Sequence, residues 1–107
     1  MDNLKGDIGL EPDDILKIKT VFMEYPQLDS VLIYGSRAKG NYRPASDIDL
    51  TLIGEDLTSS MLSEIEFKLD DLLLPYKFDI SIYDKITDAR FLDHINRIGK
   101  EFYRKQN

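Results

Sequence analysis

Hydrophobic residues recur along this chain with two different periods, and the switches between them predict alternating helices and strands. Ile15, Ile18, Val21, Phe22 and Tyr25 follow helical spacing behind Glu11-Pro12-Asp13-Asp14. Proline and acids suit a first helical turn, and Pro26 stops the pattern. Ser30 to Tyr34 is a short run of β-forming residues. The Gly35-Ser36 turn then leads into a short helical or irregular piece over residues 37–42, ended by Arg43-Pro44. Asp47 to Ile53 alternates as a second strand. Thr58-Ser59-Ser60 offers an N-cap to the longest helix, whose stripe of Leu62, Ile65, Leu69, Leu72 and Leu73 runs to Pro75. Lys77 to Tyr83 alternates as a third strand. Thr87 is placed to cap a last helix carrying Phe91, Leu92, Ile95 and Ile98, with Gly99 as its C-terminal stop. The predicted order is α-β-α-β-α-β-α, an α/β (α+β) arrangement.

Strand residues alternate faces, so Asp47, Asp49 and Thr51 share one face of the second strand while Ile48, Leu50 and Leu52 share the other. The third strand repeats the split, with Asp79, Ser81 and Tyr83 opposite Phe78, Ile80 and Ile82. This predicts a three-stranded sheet with helices packed on one face and a polar, open second face that carries the acids. The long helix between the second and third strands is a right-handed crossover, which makes those strands parallel and brings Asp47 and Asp79 to one end. Gly35-Ser36 reaches that end only if the first strand runs antiparallel to the second. A connection of about a dozen residues permits this without demanding it.

A chain of 107 residues, 42% hydrophobic, is expected to form one domain over residues 1–107 with its core at about 11–103. It can bury roughly two-thirds of its unfolded surface and leaves no room for a second, substrate-gripping lobe. The polar start through about Leu10 and the Lys/Gln/Asn end are expected to fray. A net charge of -6 is the wrong sign for holding a nucleic-acid backbone, so nucleic acid is excluded as a direct substrate. There is no cysteine and no apolar run of membrane-spanning or signal-peptide length. A cytoplasmic protein is the expectation.

Three carboxylates at one end of a sheet repel each other unless a cation neutralises them, and oxygen-only ligands favour Mg²⁺ or Mn²⁺. Gly35 lets the backbone approach phosphate closely, and Ser36 adds a hydroxyl and an N–H. Arg37, Lys39 and Arg43 reverse the sign of the charge locally, as a triphosphate requires. Arg37, next to the turn, ranks first among them. Each of these features has an ordinary alternative. A Gly-Ser turn is usually just a turn, an Asp-x-Asp often a solvated strand end, and single basic residues often solubilise a loop. The only histidine, His94, has no second histidine to pair with and is assigned no role. Leu72-Leu73-Leu74 reads as core, with any leucine left uncovered available to an interface.

The stretch VLIYGSRAKGNYRPASDIDLTLIG resembles the active-site motif of the minimal nucleotidyltransferases, small relatives of the DNA polymerase beta and kanamycin nucleotidyltransferase superfamily. The resemblance runs from about Glu11 to Tyr103, including Leu74-Pro75-Tyr76 before the third acid and the closing residues 98–103. It implies a mixed sheet, with the first strand antiparallel. It also implies that Asp47 and Asp49 hold two metal ions, and that Asp79 binds the catalytic ion and stands beside the attacking hydroxyl as general base. Gly35 and Ser36 would grip the departing pyrophosphate.

A core without an acceptor-binding lobe needs its acceptor presented from outside, which points to the two-component branch of the family. There the small nucleotidyltransferase resembles the antitoxin of a pair whose toxin is a HEPN-domain ribonuclease, neutralised by transfer of AMP from ATP to a tyrosine. Two other functions stay open. One is an antitoxin or assembly subunit that inhibits by docking alone. The other is a homodimeric enzyme that modifies a small hydroxylated molecule such as an aminoglycoside. Homo- or hetero-oligomers are compatible with all three.

Overall fold

The computed structural model describes residues 8–106. Along the chain they form α1 (Pro12–Phe22), β1 (Ser30–Tyr34), α2 (Gly35–Lys39), β2 (Ile48–Ile53), α3 (Ser59–Asp70) and β3 (Phe78–Ile82). A 3₁₀ turn (Tyr83–Lys85), α4 (Ala89–Ile98) and β4 (Lys100–Arg104) complete the order. The sheet order is β3-β2-β1-β4. β2 and β3 are parallel, as their helical crossover requires, and β1 is antiparallel to both β2 and β4. The mixed sheet implied by the resemblance is therefore present.

The expected three strands are four. Lys100–Arg104 pairs with β1 through a bulge between Val31 and Leu32, and the bulge turns the adjacent Phe102 and Tyr103 both into the core. Two neighbouring inward side chains break the period of two, which hid this strand in the sequence. Phe22 holds the pair, with ring centroids 6.2 Å from Phe102 and 5.7 Å from Tyr103.

α1 and α3 cover one face of the sheet as expected. Ile15, Ile18 and Phe22 of α1 and Ile65 and Leu69 of α3 pack with Ile33, Leu50, Leu52, Ile80 and Ile82. α4 departs from that pattern. Its Ile95 is fully buried outside this cluster, and its Phe91 meets Tyr34 at 5.4 Å in an edge-to-face contact. Tyr34 alternates with the inward Ile33, so α4 lies on the second face. The physical reason is that β1, unlike β2 and β3, presents Leu32 and Tyr34 there rather than acids, and an apolar stripe can cover them.

Several boundaries shift. β2 begins at Ile48, so Asp47 stands just ahead of the strand. Thr58 caps α3 by accepting from the Met61 N–H at 3.1 Å, as expected. α4 is capped by Asp88 rather than Thr87, since the Asp88 carboxylate accepts from the Arg90 and Phe91 amides. Gly99 does not end α4 in a left-handed turn. It is extended at φ −60°, ψ 143° and passes directly into β4. Fraying through Leu10 does not hold for the described part, because Ile8 and Leu10 are buried; residues 1–7 lie outside the described residues. Leu72 and Leu74 pack on the core while Leu73 is exposed. No helix among the described residues is long and apolar enough to cross a membrane.

Because Phe102 is buried by a strand that pairs only with β1, Phe102→Ala is expected to cost about 3–5 kcal/mol. Urea unfolding measures it, and a loss below about 1 kcal/mol would show that β4 is not part of the cooperative core.

Candidate functional site

The antiparallel pairing of β1 and β2 sets Tyr34 opposite Asp49, and the parallel pairing of β2 and β3 sets Asp79 beside Asp49 on its other side. Asp49 is thus the middle of a row that crosses three strands. Asp47 lies two residues upstream on the same side of the chain. Beneath the row, Ser81 donates to Thr51 Oγ1 at 2.9 Å.

Gly35 follows Tyr34 directly, at φ +74°. A Cβ there would collide with the Asp49 carboxylate, so only glycine fits for two independent reasons, backbone and space. The turn was expected to be glycine so that phosphate could approach. What approaches it in this structure is the carboxylate. α2 starts on Gly35 itself and closes at the left-handed Gly40, whose N–H donates to the Ser36 carbonyl at 2.9 Å. Ser36 is half-buried at the head of this short helix, next to the row.

Electrostatics follow the geometry. Burial, then the charges of Asp79 and Asp47, push the Asp49 carboxyl up to about 6, with Arg37 opposing them. Tyr34 is pushed up to about 12, chiefly by burial, with Asp79 and Asp49 adding to it and a hydrogen bond with Ser81 opposing. Tyr34 is a site residue that the sequence reading missed. Its signal was the last position of the strand before Gly-Ser, on the face of the acids. His94 of α4 rests 6.0 Å from the Tyr34 ring and remains without an assigned role.

The donor chemistry fits a hard divalent cation, since an Asp49 carboxyl pushed up to about 6 by burial and then by its acidic neighbours is a site short of positive charge. Asp47 and Asp79 are exposed, and among the described residues no three acidic, histidine or cysteine side chains gather closely enough to hold an ion. The two observations differ because charges repel over longer distances than ligation spans. Agreement with a cation therefore rests on the register of Asp49 with Asp79 and on their repulsion, not on a finished cage.

The basic residues separate. Lys39 and Arg43 are exposed near the turn. Arg37, ranked first for phosphate, is fully buried and spends its guanidinium on the carbonyls of Ile8, Gly9, Pro44 and Ser46. Its Cζ lies over the rings of Tyr42 and Tyr76, 5.3 and 5.1 Å from their centroids. The structure therefore corrects that expectation: in α2 consecutive residues point to different sides, and the side of Arg37 faces inward.

A mixed sheet carrying a Gly-Ser turn against an acidic row is joined by a match to the family described as Polymerase beta, Nucleotidyltransferase, over residues 16–107. The chain belongs to this family. This nucleotidyltransferase is 28% identical over 83 residues to a Methanocaldococcus jannaschii protein provisionally named a protein adenylyltransferase, covering 70% of the chain and 79% of that relative. Its fold is similar to a toxin-antitoxin structure with AMP-PNP, with a TM-score of 0.69 at 22% identity, over 91% of this chain and 76% of that one. It is also similar to a chain from a complex of a tri-AMPylated Shewanella oneidensis HEPN toxin with an MNT antitoxin. There the TM-score is 0.67 at 18% identity, over 90% of this chain and 74% of that one.

The raised Asp49 pKa gives the nucleotidyltransferase a pH-dependent stability in metal-free buffer. An acid whose folded value, about 6, lies above its unfolded value, about 4, stabilises the fold below pH 4 and loses that contribution as pH rises through 6. The full shift would correspond to about 3 kcal/mol, which solvent screening of a half-buried group reduces to about 1 kcal/mol. Asp49→Asn is expected to melt higher than the parent at pH 8 and to lose the advantage at pH 4. Equal melting temperatures at pH 8 would refute the crowding. Gly35→Ala is expected to destabilise by about 1–3 kcal/mol, the usual cost of forcing a side chain into this backbone region, with the carboxylate collision added.

Proposed function

We propose that this chain acts as a single domain (1–107, core about 11–103) that transfers AMP from ATP to a tyrosine hydroxyl of a partner protein, a HEPN-type ribonuclease, and so serves as its antitoxin in the cytoplasm. The observation that carries the reading is Asp49, wedged against Gly35 at the head of the Gly-Ser turn and flanked in register by Asp79. The relative named for protein adenylylation and the fold shared with toxin-antitoxin structures support the acceptor class.

In this reading Asp47 and Asp49 would hold two Mg²⁺ ions, or Mn²⁺, and Asp79 would help to hold the catalytic one. Once bound, the ions would neutralise the crowded acids and the charge on the transferring phosphoryl group. Asp79 accepts the proton of the tyrosine hydroxyl as its oxygen bonds to the α-phosphorus. The bond from that phosphorus to the bridging oxygen breaks, and pyrophosphate leaves along Gly35 and Ser36 toward Lys39 and Arg43. Orientation of the tyrosine comes from the docked partner. A well-placed reactant is worth effective molarities of about 10⁵ M or more, so docking supplies what a second lobe would otherwise provide.

Incubation of a co-expressed HEPN-type partner protein with the enzyme, ATP and Mg²⁺ is expected to raise the partner's mass in AMP-sized steps. Asp47→Asn and Asp79→Asn should leave it unmodified while keeping their fold by circular dichroism. Calorimetry should show ATP binding that is lost on adding chelator. A partner that is bound and silenced without any mass change would replace transfer with docking, and transfer to an aminoglycoside instead would move the acceptor to small molecules.

A further inference from the structure

Arg37 carries a buried positive charge with no carboxylate partner among the described residues. Burying a charge in this way is costly unless its donors are satisfied. They are satisfied by backbone. Nε donates to Ser46 O at 3.1 Å, Nη1 to Ile8 O at 2.8 Å and Gly9 O at 3.3 Å, and Nη2 to Pro44 O at 3.1 Å and Ser46 O at 3.0 Å. The guanidinium also lies over the rings of Tyr42 and Tyr76. A planar fork can reach all these acceptors at once, and a lysine ammonium cannot.

The groups it joins are not random. Pro44 and Ser46 form the loop that ends at Asp47. Tyr76 stands just before β3, which carries Asp79, and Arg37 itself follows the Gly-Ser turn. The remaining partner is a strap, Ile8–Leu10, which lies ahead of the span matched by the family. The strap is itself clasped, because Gly9 sits at φ +74° and the Tyr42 ring fills the space that its Cβ would need.

The geometry points to Arg37 as a positioning residue: its guanidinium locks the 44–46 loop to the strap at Ile8–Gly9, and that lock sets where Asp47 stands. This rests on the proposed role of Asp47, whereas the lock itself can be tested without it. The backbone carbonyls already take every guanidinium N–H, so the effect of breaking the lock is expected on turnover and not on ATP binding.

The test uses the full chain with Arg37→Lys, Arg37→Gln and Gly9→Val, the last breaking the strap from its own side with the arginine still in the sequence. Amide hydrogen exchange at Ser46 and Ile48 is expected to speed up about tenfold or more in each. Calorimetry should show Mn²⁺ binding about tenfold weaker. The kcat should fall about 10- to 100-fold, as a displaced catalytic group costs, while KM for ATP stays within about twofold. Arg37→Gln combined with Gly9→Val should be no worse than the more severe single variant, because both break one lock. A KM that rises tenfold with exchange unchanged would overturn the proposal and make Arg37 a nucleotide ligand. Unchanged exchange and kcat in all variants would overturn it as well. If the Arg37 variants do not fold, Gly9→Val decides alone. If the parent chain transfers nothing, the exchange data still decide the lock, and only the functional reading falls.

Discussion

Everything at the functional end of this molecule depends on how closely the Asp49 carboxylate approaches Gly35. Antiparallel pairing of β1 with β2 brings Tyr34 opposite Asp49, so the residue after Tyr34 must pass the carboxylate at contact distance. Any side chain there would displace the Asp49 carboxylate. The same pairing forces a left-handed backbone at Gly35, which starts α2 at once and presents Ser36 beside the acids. A strand pairing thus converts into the placement of the Gly-Ser turn beside the acidic row, and the absence of a side chain at Gly35 leaves room for it.

The second face of the sheet is divided by what its strands present. β2 and β3 offer acids and hydroxyls, which require water or cations, while β1 offers Leu32 and Tyr34, which α4 covers. The cover reaches the edge of the acidic row and desolvates it. This is why burial leads the causes that raise both Asp49 and Tyr34. Stability is spent here on chemistry. A fold selected only for stability would place an amide at position 49, where the carboxylate meets burial and two acidic neighbours.

Charge is organised on two levels. Two of the acidic chain's exposed cations, Lys39 and Arg43, follow the turn in sequence. The third cation of that cluster goes inward. Arg37 exchanges water for four carbonyl groups and two rings, and through them connects the strap, the loop before Asp47 and the approach to β3. Within one short helix Lys39 is exposed and Arg37 is buried, separated only by the direction in which each points.

Periodicity in the sequence was sufficient for the helices, for β1 to β3, and for the shared face of Asp49 and Asp79, because alternation at period two and apolar stripes at period 3.6 are local facts. Residue types were sufficient for the family resemblance, since glycine, serine and paired acids at that spacing have few structural uses in common. Other features were not local. β4 was hidden because a bulge turns Phe102 and Tyr103 the same way, and a bulge is defined only by the partner strand. Tyr34 became a site residue through register, which depends on the antiparallel choice that the connecting loop left open. The strap at Ile8–Leu10 looked like a polar end because its anchor, Arg37, is far away in sequence. Most clearly, a single arginine beside Gly-Ser reads the same whether it faces phosphate or the interior. Sequence determines that the charge is there, and only the packing around it decides that carbonyls and rings, not a nucleotide, receive it.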